Sequence, residues 1–274
     1  MKDYSKRVGF IQGRLSPLVG QRIQAFPIGN WEQEFSIALE NGIENMEWTI
    51  DTMSFESNPL VQNEKQKIIK LSKNTNVKIP SVTCDYFMEN PHWNSNGVDI
   101  ETNLNRILRG MIEINSKILV IPLVDNSSIR DNPNADLKFF FQLEKTLIEN
   151  NLQIAFELDL DAEMAKDFIN LFSPSCFGIN YDIGNSAANC FDPDMEISAY
   201  GDRIINVHVK DRVKNGNTVP LGTGNADFPT VIKKLRDVQF QRNYIMQTAR
   251  ATDGDHIAEL NRNIKFFKEA LTNV

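Results

Sequence analysis

The chain contains 274 residues, of which 41% are hydrophobic and 24% charged, a composition typical of a globular protein with a full-sized core. Its net charge of −7, without a stripe of Lys and Arg, argues against a nucleic-acid partner and favours a small ligand. No run of 18 apolar residues occurs and the charged amino terminus precedes no apolar stretch, so we expect no membrane partner and a cytoplasmic location. The three cysteines, Cys84, Cys176 and Cys190, lie far apart and support neither a disulfide framework nor a Cys-x-x-Cys metal site.

Strand-like apolar runs alternate with helix-like segments eight times along the chain. The predicted strands cover residues 8–12, 45–49, 79–84, 117–122, 153–157, 177–182, 204–208 and 244–247. The predicted helices cover about residues 31–41, 58–74, 99–114, 134–150, 161–172, 194–200, 229–235 and 255–271. Alternation of this kind implies a parallel sheet, and eight units at this length imply a closed (β/α)8 TIM barrel that forms a single domain over residues 1–274.

Local signals add detail to this topology. Asn30 with Gln33 predicts a capping box for the first helix, and Asn58-Pro59 predicts the start of the second. No Gly-x-Gly-x-x-Gly motif follows the first strand, which excludes a Rossmann dinucleotide site.

Four successive strands end in polar residues: Glu157, Asp182, His208 and Gln247. Side chains alternate faces along a strand, so in the seventh strand His208 shares a face with Asn206, while Ile205, Val207 and Val209 share the other. A lone strand histidine usually belongs to the core, but four polar strand ends at one barrel mouth favour a site. Oxygen and imidazole groups are ligands of Mg²⁺, Mn²⁺, Co²⁺ and Zn²⁺, so we predict that one such divalent ion is bound here.

Other polar residues follow strand ends and are candidates for binding substrate. Glu47 has the inward parity of strand two, where it would contact a substrate hydroxyl or form a structural ion pair, and Asp211 is a candidate for orienting the site. Arg250, with Gly222 and Gly224 in the seventh loop, suggests an anionic sugar, because barrels often hold phosphate near the last two loops. The remaining substrate-binding candidates are Gln12, Arg14, Asn185 and Lys210.

The motifs around these strand ends resemble those of the xylose-isomerase-like barrel superfamily. They are AFELD with Glu157, YDIGN with Asp182, VHVKD with His208, and the LGTG turn at residues 221–224. The resemblance implies a divalent metal on Glu157, Asp182 and His208. It also implies a second Glu from strand eight, where this chain has Gln247, and often a His where it has Asn185.

The resemblance implies chemistry on a small sugar, sugar acid or sugar phosphate. We therefore predict a metal-dependent isomerase or epimerase that forms an enediolate, with Glu157 as base and Gln247 and Glu47 as further catalytic candidates. Epimerisation requires two titratable groups, and a glutamine cannot exchange a proton at neutral pH. One-base reactions are therefore favoured unless Glu47, Asp85 or Asp211 supplies the second carboxylate.

Other functions remain open at this point. One is a metal-dependent dehydratase of a polyol-derived ketone, and another is a non-catalytic sugar-binding barrel. An endonuclease IV-like phosphodiesterase would need a histidine-rich zinc cluster, whereas this chain has three histidines, one of them at a strand end. A homo-oligomer also remains open as an alternative to a monomer.

Overall fold

Eight parallel strands close into a barrel in the computed structural model, which describes residues 4–93 and 99–273. Each strand pairs with its neighbours in chain order, and β1 closes the barrel against β8, which confirms the predicted (β/α)8 fold. The strands are β1 Val8–Ile11, β2 Met46–Ile50, β3 Ser81–Cys84, β4 Ile118–Leu123, β5 Gln153–Leu158, β6 Phe177–Asp182, β7 Ile204–Val209 and β8 Tyr244–Met246.

The helices lie outside the barrel and follow the strands along the chain. They are α1 Gln33–Glu40, α2 Lys65–Thr75, α3 Asp85–Glu89, α4 Ile100–Ile114, α5 Lys138–Phe141, α6 Glu144–Glu149, α7 Ala162–Asn170, α8 Ile183–Ala188, α9 Pro193–Tyr200, α10 Phe228–Asp237 and α11 His256–Asn273. After β7, Asp211–Arg212 pairs with Thr218–Val219 in a short antiparallel ribbon. Among the described residues, no helix is both long and apolar enough to cross a membrane.

The second helix begins seven residues later than predicted. The Asn58 side chain accepts a hydrogen bond from the Trp48 indole at 2.9 Å and donates one to the Thr49 carbonyl at 3.0 Å. These bonds hold the start of the segment against β2, so the chain turns before it becomes helical at Lys65. The predicted Asn30 capping box was also wrong, because α1 begins at Gln33 without a side-chain cap.

Two short helices that the sequence did not predict begin directly at strand ends. α3 starts at Asp85, immediately after β3, and α8 starts at Ile183, immediately after β6. The Asp182 carboxylate caps α8 by accepting the Asn185 N–H at 2.8 Å. Asp85 and Asn185 are thereby held at the barrel mouth. The predicted helix over residues 134–150 is instead broken into α5 and α6.

The barrel interior has an apolar layer below a polar one. A small apolar cluster is separate from the main core that lies between strands and helices, and its members are Ile118, Val120, Ala155 and Ile205. The pairing of β6 with β7 shifts register between Ile179 and Asn180. Ile205 is the residue skipped by this shift and joins the interior cluster, so the expectation that it shares the outer face with Val207 was wrong.

Candidate metal centre

His208 lies at the centre of the polar layer and is completely buried. Its Nε2 is 2.7 Å from Glu47 Oε1, on the side away from the barrel mouth residues. Its Nδ1 is 3.2 Å from Glu157 Oε2 and 3.9 Å from Asp182 Oδ2. A carboxylate on one ring nitrogen fixes the orientation of an imidazole, and the other nitrogen of His208 also lies 3.0 Å from Asn180 Nδ2. The geometry therefore presents Nδ1 to the two strand-end carboxylates.

The Glu157 carboxylate is held by two amides. Its Oε2 accepts a hydrogen bond from Asn180 Nδ2 and its Oε1 accepts one from Asn185 Nδ2, both at 2.7 Å. Burial raises the pKa of Glu157, but His208, Lys210 and the Asn180 amide outweigh burial and the net pKa is lowered. Glu157 is consequently ionised and rigidly oriented at neutral pH.

Asp182 has one carboxylate oxygen that the protein does not fully satisfy. Oδ1 caps α8, whereas buried Oδ2 accepts no hydrogen bond of normal geometry within the described part of the chain. The Lys210 Nζ nevertheless approaches Oδ2 to 2.7 Å, as an ion pair, and also donates to Gln247 Oε1 at 3.0 Å. An ammonium group thus lies against two of the four predicted ligand residues, which shows that this position attracts positive charge.

The residues fit a divalent cation. One donor atom from each of Glu157, Asp182 and His208 can be chosen so that all three lie within 4.8 Å of one another. Carboxylate and imidazole donors with an amide oxygen beside them suit Mg²⁺, Mn²⁺, Co²⁺ or Zn²⁺. A bound cation would replace the Lys210 ammonium as the counter-charge of Asp182.

The carboxylates around His208 also favour its protonated form. Burial lowers its pKa, but Glu47 and Glu157 outweigh that effect and raise it to about 10. Cation binding would displace the proton on Nδ1, since an imidazole nitrogen binds metal only when it is deprotonated. Conversely, burial raises the pKa of Glu47, but His208 and hydroxyl donors outweigh it and the net pKa is lowered.

A chamber of about 200 Å³ opens beside this cluster, and we call it the metal chamber. Six of the residues that line it are Arg14, Asp85, Glu157, Asn185, Lys210 and Gln247. The Arg14 guanidinium is positioned by three acceptors, the carbonyls of Thr248 and Ile23 and the Gln24 side chain, at 2.8–2.9 Å. Burial and the neighbouring Arg250 lower the pKa of Arg14 to about 9, so it is a cation at neutral pH.

Three of the predicted catalytic and substrate-binding residues do not line this chamber. Gln12 is completely buried and its Oε1 accepts the Thr49 N–H at 3.1 Å. Glu47 lies below His208, also without exposed surface, so it contacts the imidazole rather than a substrate hydroxyl. Arg250 donates to the carbonyls of Gly13 and Ser16 and braces the first loop.

The expected anion site in the seventh loop is occupied by the protein itself. Buried Asp211 accepts the N–H groups of Gly222, Gly224 and Ala226 at 2.8–3.0 Å. The LGTG turn is therefore organised around a carboxylate rather than open to a phosphate. This arrangement also removes Asp211 from the candidates for the second acid.

Asp85, the remaining candidate from the sequence, does line the metal chamber. Only 8% of the residue is exposed, and no hydrogen bond or ion pair engages its carboxylate within residues 4–93 and 99–273. Burial, followed by the charge of Glu157, raises its pKa to about 7. A carboxyl group with this pKa exchanges protons readily near neutral pH.

The sequence interpretation missed two charged residues in a cavity that adjoins the metal chamber. Asp159 lies two positions after Glu157, and Arg130 contacts it from the loop after β4 at 3.2 Å. The alternation of side chains in Glu157-Leu158-Asp159 was a usable signal for Asp159, because residues two apart share a face. Arg130 follows no strand end directly and has no comparable signal.

Comparisons with known proteins agree with the resemblance carried by the strand-end motifs. L-ribulose-5-phosphate 3-epimerase UlaE of Salmonella heidelberg (strain SL476) is 23% identical over 254 residues, covering 86% of this chain and 89% of that protein. The solved IolI protein with a binding zinc atom has a TM-score of 0.73 and 13% identity, with 97% of each chain covered. The apo form of 3-keto-D-glucoside 4-epimerase YcjR from E. coli has a TM-score of 0.68 and 17% identity, covering 96% of this chain and 99% of that one. Residues 35–270 match the family described as xylose isomerase-like TIM barrel, and the chain therefore belongs to that family.

Proposed function

We propose that the protein is a divalent-metal-dependent isomerase or epimerase of a small sugar, sugar acid or sugar phosphate. The observation that carries the proposal is the buried cluster of Glu157, Asp182 and His208 beside an open chamber. The proposed ligands are these three residues and Gln247. The epimerase relatives and the zinc-bound neighbour in the same fold support the proposal.

The chain's own residues supply the proton chemistry. When bound, the cation supplies Lewis-acid stabilisation of charge that develops on the substrate oxygens. Glu157 removes the proton from the carbon next to the substrate carbonyl, since its carboxylate is ionised and oriented by Asn180 and Asn185. Lys210 and Arg14 face the same chamber and are suited to bind substrate oxygens.

Asp85 is the proposed second titratable group. Epimerisation takes a proton from one face of a carbon and returns one to the other, and Gln247 cannot take part. Asp85 lines the metal chamber with a carboxylate that no hydrogen bond or ion pair from the described residues engages, and its pKa is about 7. Epimerisation is thereby favoured over one-base isomerisation and over dehydration.

The function is tested by solvent exchange with a defined sugar panel. The purified protein is depleted with a chelator, reloaded separately with Mn²⁺, Mg²⁺, Co²⁺ or Zn²⁺, and incubated with ketoses, sugar acids and their phosphates in heavy water. We expect deuterium at the carbon next to the carbonyl and an epimeric product by NMR, both lost after chelation and restored by at least one ion.

Two outcomes would contradict this function. An enone or deoxy product would identify a dehydratase. Binding of a sugar without exchange, converted to turnover by Gln247→Glu, would identify a non-catalytic binder that lost one acid at this position.

Glu47 is a positioning residue, and its removal is expected to weaken the metal centre. Its carboxylate accepts hydrogen bonds from Ser81, Thr83, Asn206 and His208. We expect Glu47→Gln to lower metal affinity roughly 10- to 100-fold, because the imidazole loses its anionic partner. We also expect a loss of roughly 3–5 kcal/mol in the free energy of unfolding, because the pair with His208 is buried.

Titration calorimetry with Zn²⁺ and urea unfolding measure the two effects. Glu40→Gln, at an exposed position of α1, is the control and should change neither. If Glu47→Gln does not fold, Ser81→Ala removes a single donor and should give a smaller change in the same direction. Unchanged metal affinity in folded Glu47→Gln would contradict the positioning role.

A further inference from the structure

A second chamber adjoins the metal chamber on the side of β5 and α8; we call it the outer chamber. Its volume is about 160 Å³, close to that of the metal chamber. The two share four lining residues, which are Val124, Asp125, Asn185 and Arg212. The outer chamber is lined in addition by Arg130, Asp159, Ala188 and Asn189. A molecule reacting beside Glu157 could therefore extend past Asn185 into the outer chamber.

Asp159 presents an unsatisfied acceptor in the outer chamber. Its side chain is only 10% exposed, and its Oδ2 is 3.2 Å from Arg130 Nη2. Its Oδ1 is buried and has no hydrogen-bond partner among the residues described; the nearby Ser128 hydroxyl forms no bond of normal geometry with it. A buried acceptor without a partner costs free energy, and a ligand hydroxyl donating to it would recover that cost.

The charges of the outer chamber favour a neutral ligand over a phosphate. Two guanidiniums, Arg130 and Arg212, are balanced by two carboxylates, Asp125 and Asp159. Arg212 already donates Nη1 to Asn185 Oδ1 at 2.7 Å and its other donors to the Gly216 carbonyl. Arg130 is paired with Asp159, whose free oxygen would repel a phosphate oxygen.

We propose that the outer chamber is a second substrate subsite, in which Asp159 accepts a hydrogen bond from an uncharged, hydroxylated end of the substrate. That end is either the tail of a long-chain ketose or a second sugar ring. The subsite rests on the proposed function, because it extends the chamber in which Glu157 acts. Arg130 holds the Asp159 carboxylate in place and is a positioning residue.

Substrates of different length test the subsite. Asp159→Asn keeps the shape of the side chain but removes its charge, and we expect it to raise KM about tenfold for a six-carbon ketose or its glycoside. We expect kcat for these substrates to stay unchanged, and both constants for a four-carbon ketose to stay unchanged. A larger effect on the glycoside than on the free ketose identifies the second ring as the occupant, and equal effects identify the ketose tail.

Asp131→Asn is the matched control, because Asp131 Oδ1 lies 3.9 Å from Arg130 Nε but Asp131 does not line the outer chamber. If no sugar is turned over, calorimetric binding of a six-carbon polyol and a disaccharide to both variants decides the question independently of catalysis. Weaker binding to Asp159→Asn alone supports the subsite. Equal effects of Asp159→Asn on short and long substrates, no effect on either, or a phosphate-terminated substrate that depends on Arg130 would overturn it.

Discussion

Glu157→Gln is expected to lower kcat by about 10²- to 10⁴-fold, the usual contribution of a general base. The carboxylate that removes the proton is replaced by an amide that cannot accept one at neutral pH. Deuterium exchange into the substrate should fall by the same factor as product formation, because proton removal precedes both. NMR in heavy water measures the two rates in one experiment.

A structural effect of this substitution must be separated from the chemical one. Asn180 and Asn185 each donate to a Glu157 oxygen, so a glutamine places its NH₂ group against a donor. Glu157→Asp retains both acceptors on a side chain one methylene shorter and should keep part of the activity. Glu163→Gln, exposed on α7, is the control for charge in the same region. If Glu157→Gln retained wild-type exchange, Glu157 would not be the base.

The barrel fold was predictable because each strand is an apolar run with a clear boundary. Residues 177–182 were placed without error, and the other strands within two residues at each end. Helix boundaries were less predictable where one polar side chain forms a hydrogen bond to the backbone, as Asn58 does with the Thr49 carbonyl. α3 and α8 were missed because five or six residues are too few to show a helical repeat.

The convergence of the strand ends was also predictable, whereas depth within the barrel was not. Asp182 and His208 are direct partners in the register of β6 with β7, and alternation along each strand had placed each of them away from its large apolar neighbours. The ligand roles of Glu157, Asp182, His208 and Gln247 stay a prediction. Glu47 also points into the barrel, but it lies one layer below His208. The strands of a closed barrel are staggered along its axis, and the alternation of side chains within one strand does not show that stagger. The contacts of a long side chain such as Arg250 depend on the conformation of the loops, which the pattern of apolar residues in the strands does not predict.

The pH profile should show a falling limb near pH 7 that depends on Asp85. Burial and Glu157 raise the pKa of Asp85 to about 7, whereas the pKa of Glu157 is lowered. The active pair carries one proton, on Asp85, with Glu157 ionised. As pH rises through about 7, Asp85 loses that proton and the epimerisation rate falls. The profile of kcat/KM against pH measures this limb in the free enzyme.

Asp85→Asn is expected to abolish epimerisation while Glu157 continues to exchange the proton on its own face. Substrate should then gain deuterium without inverting, and the limb near pH 7 should disappear from the exchange rate. Glu101→Gln, at an exposed position of α4 outside the metal chamber, is the control for loss of one negative charge. Exchange and inversion lost together in folded Asp85→Asn would assign Asp85 a structural role. Inversion at the wild-type rate would show that another group returns the proton, and the two-carboxylate arrangement of Glu157 and Asp85 would then be wrong.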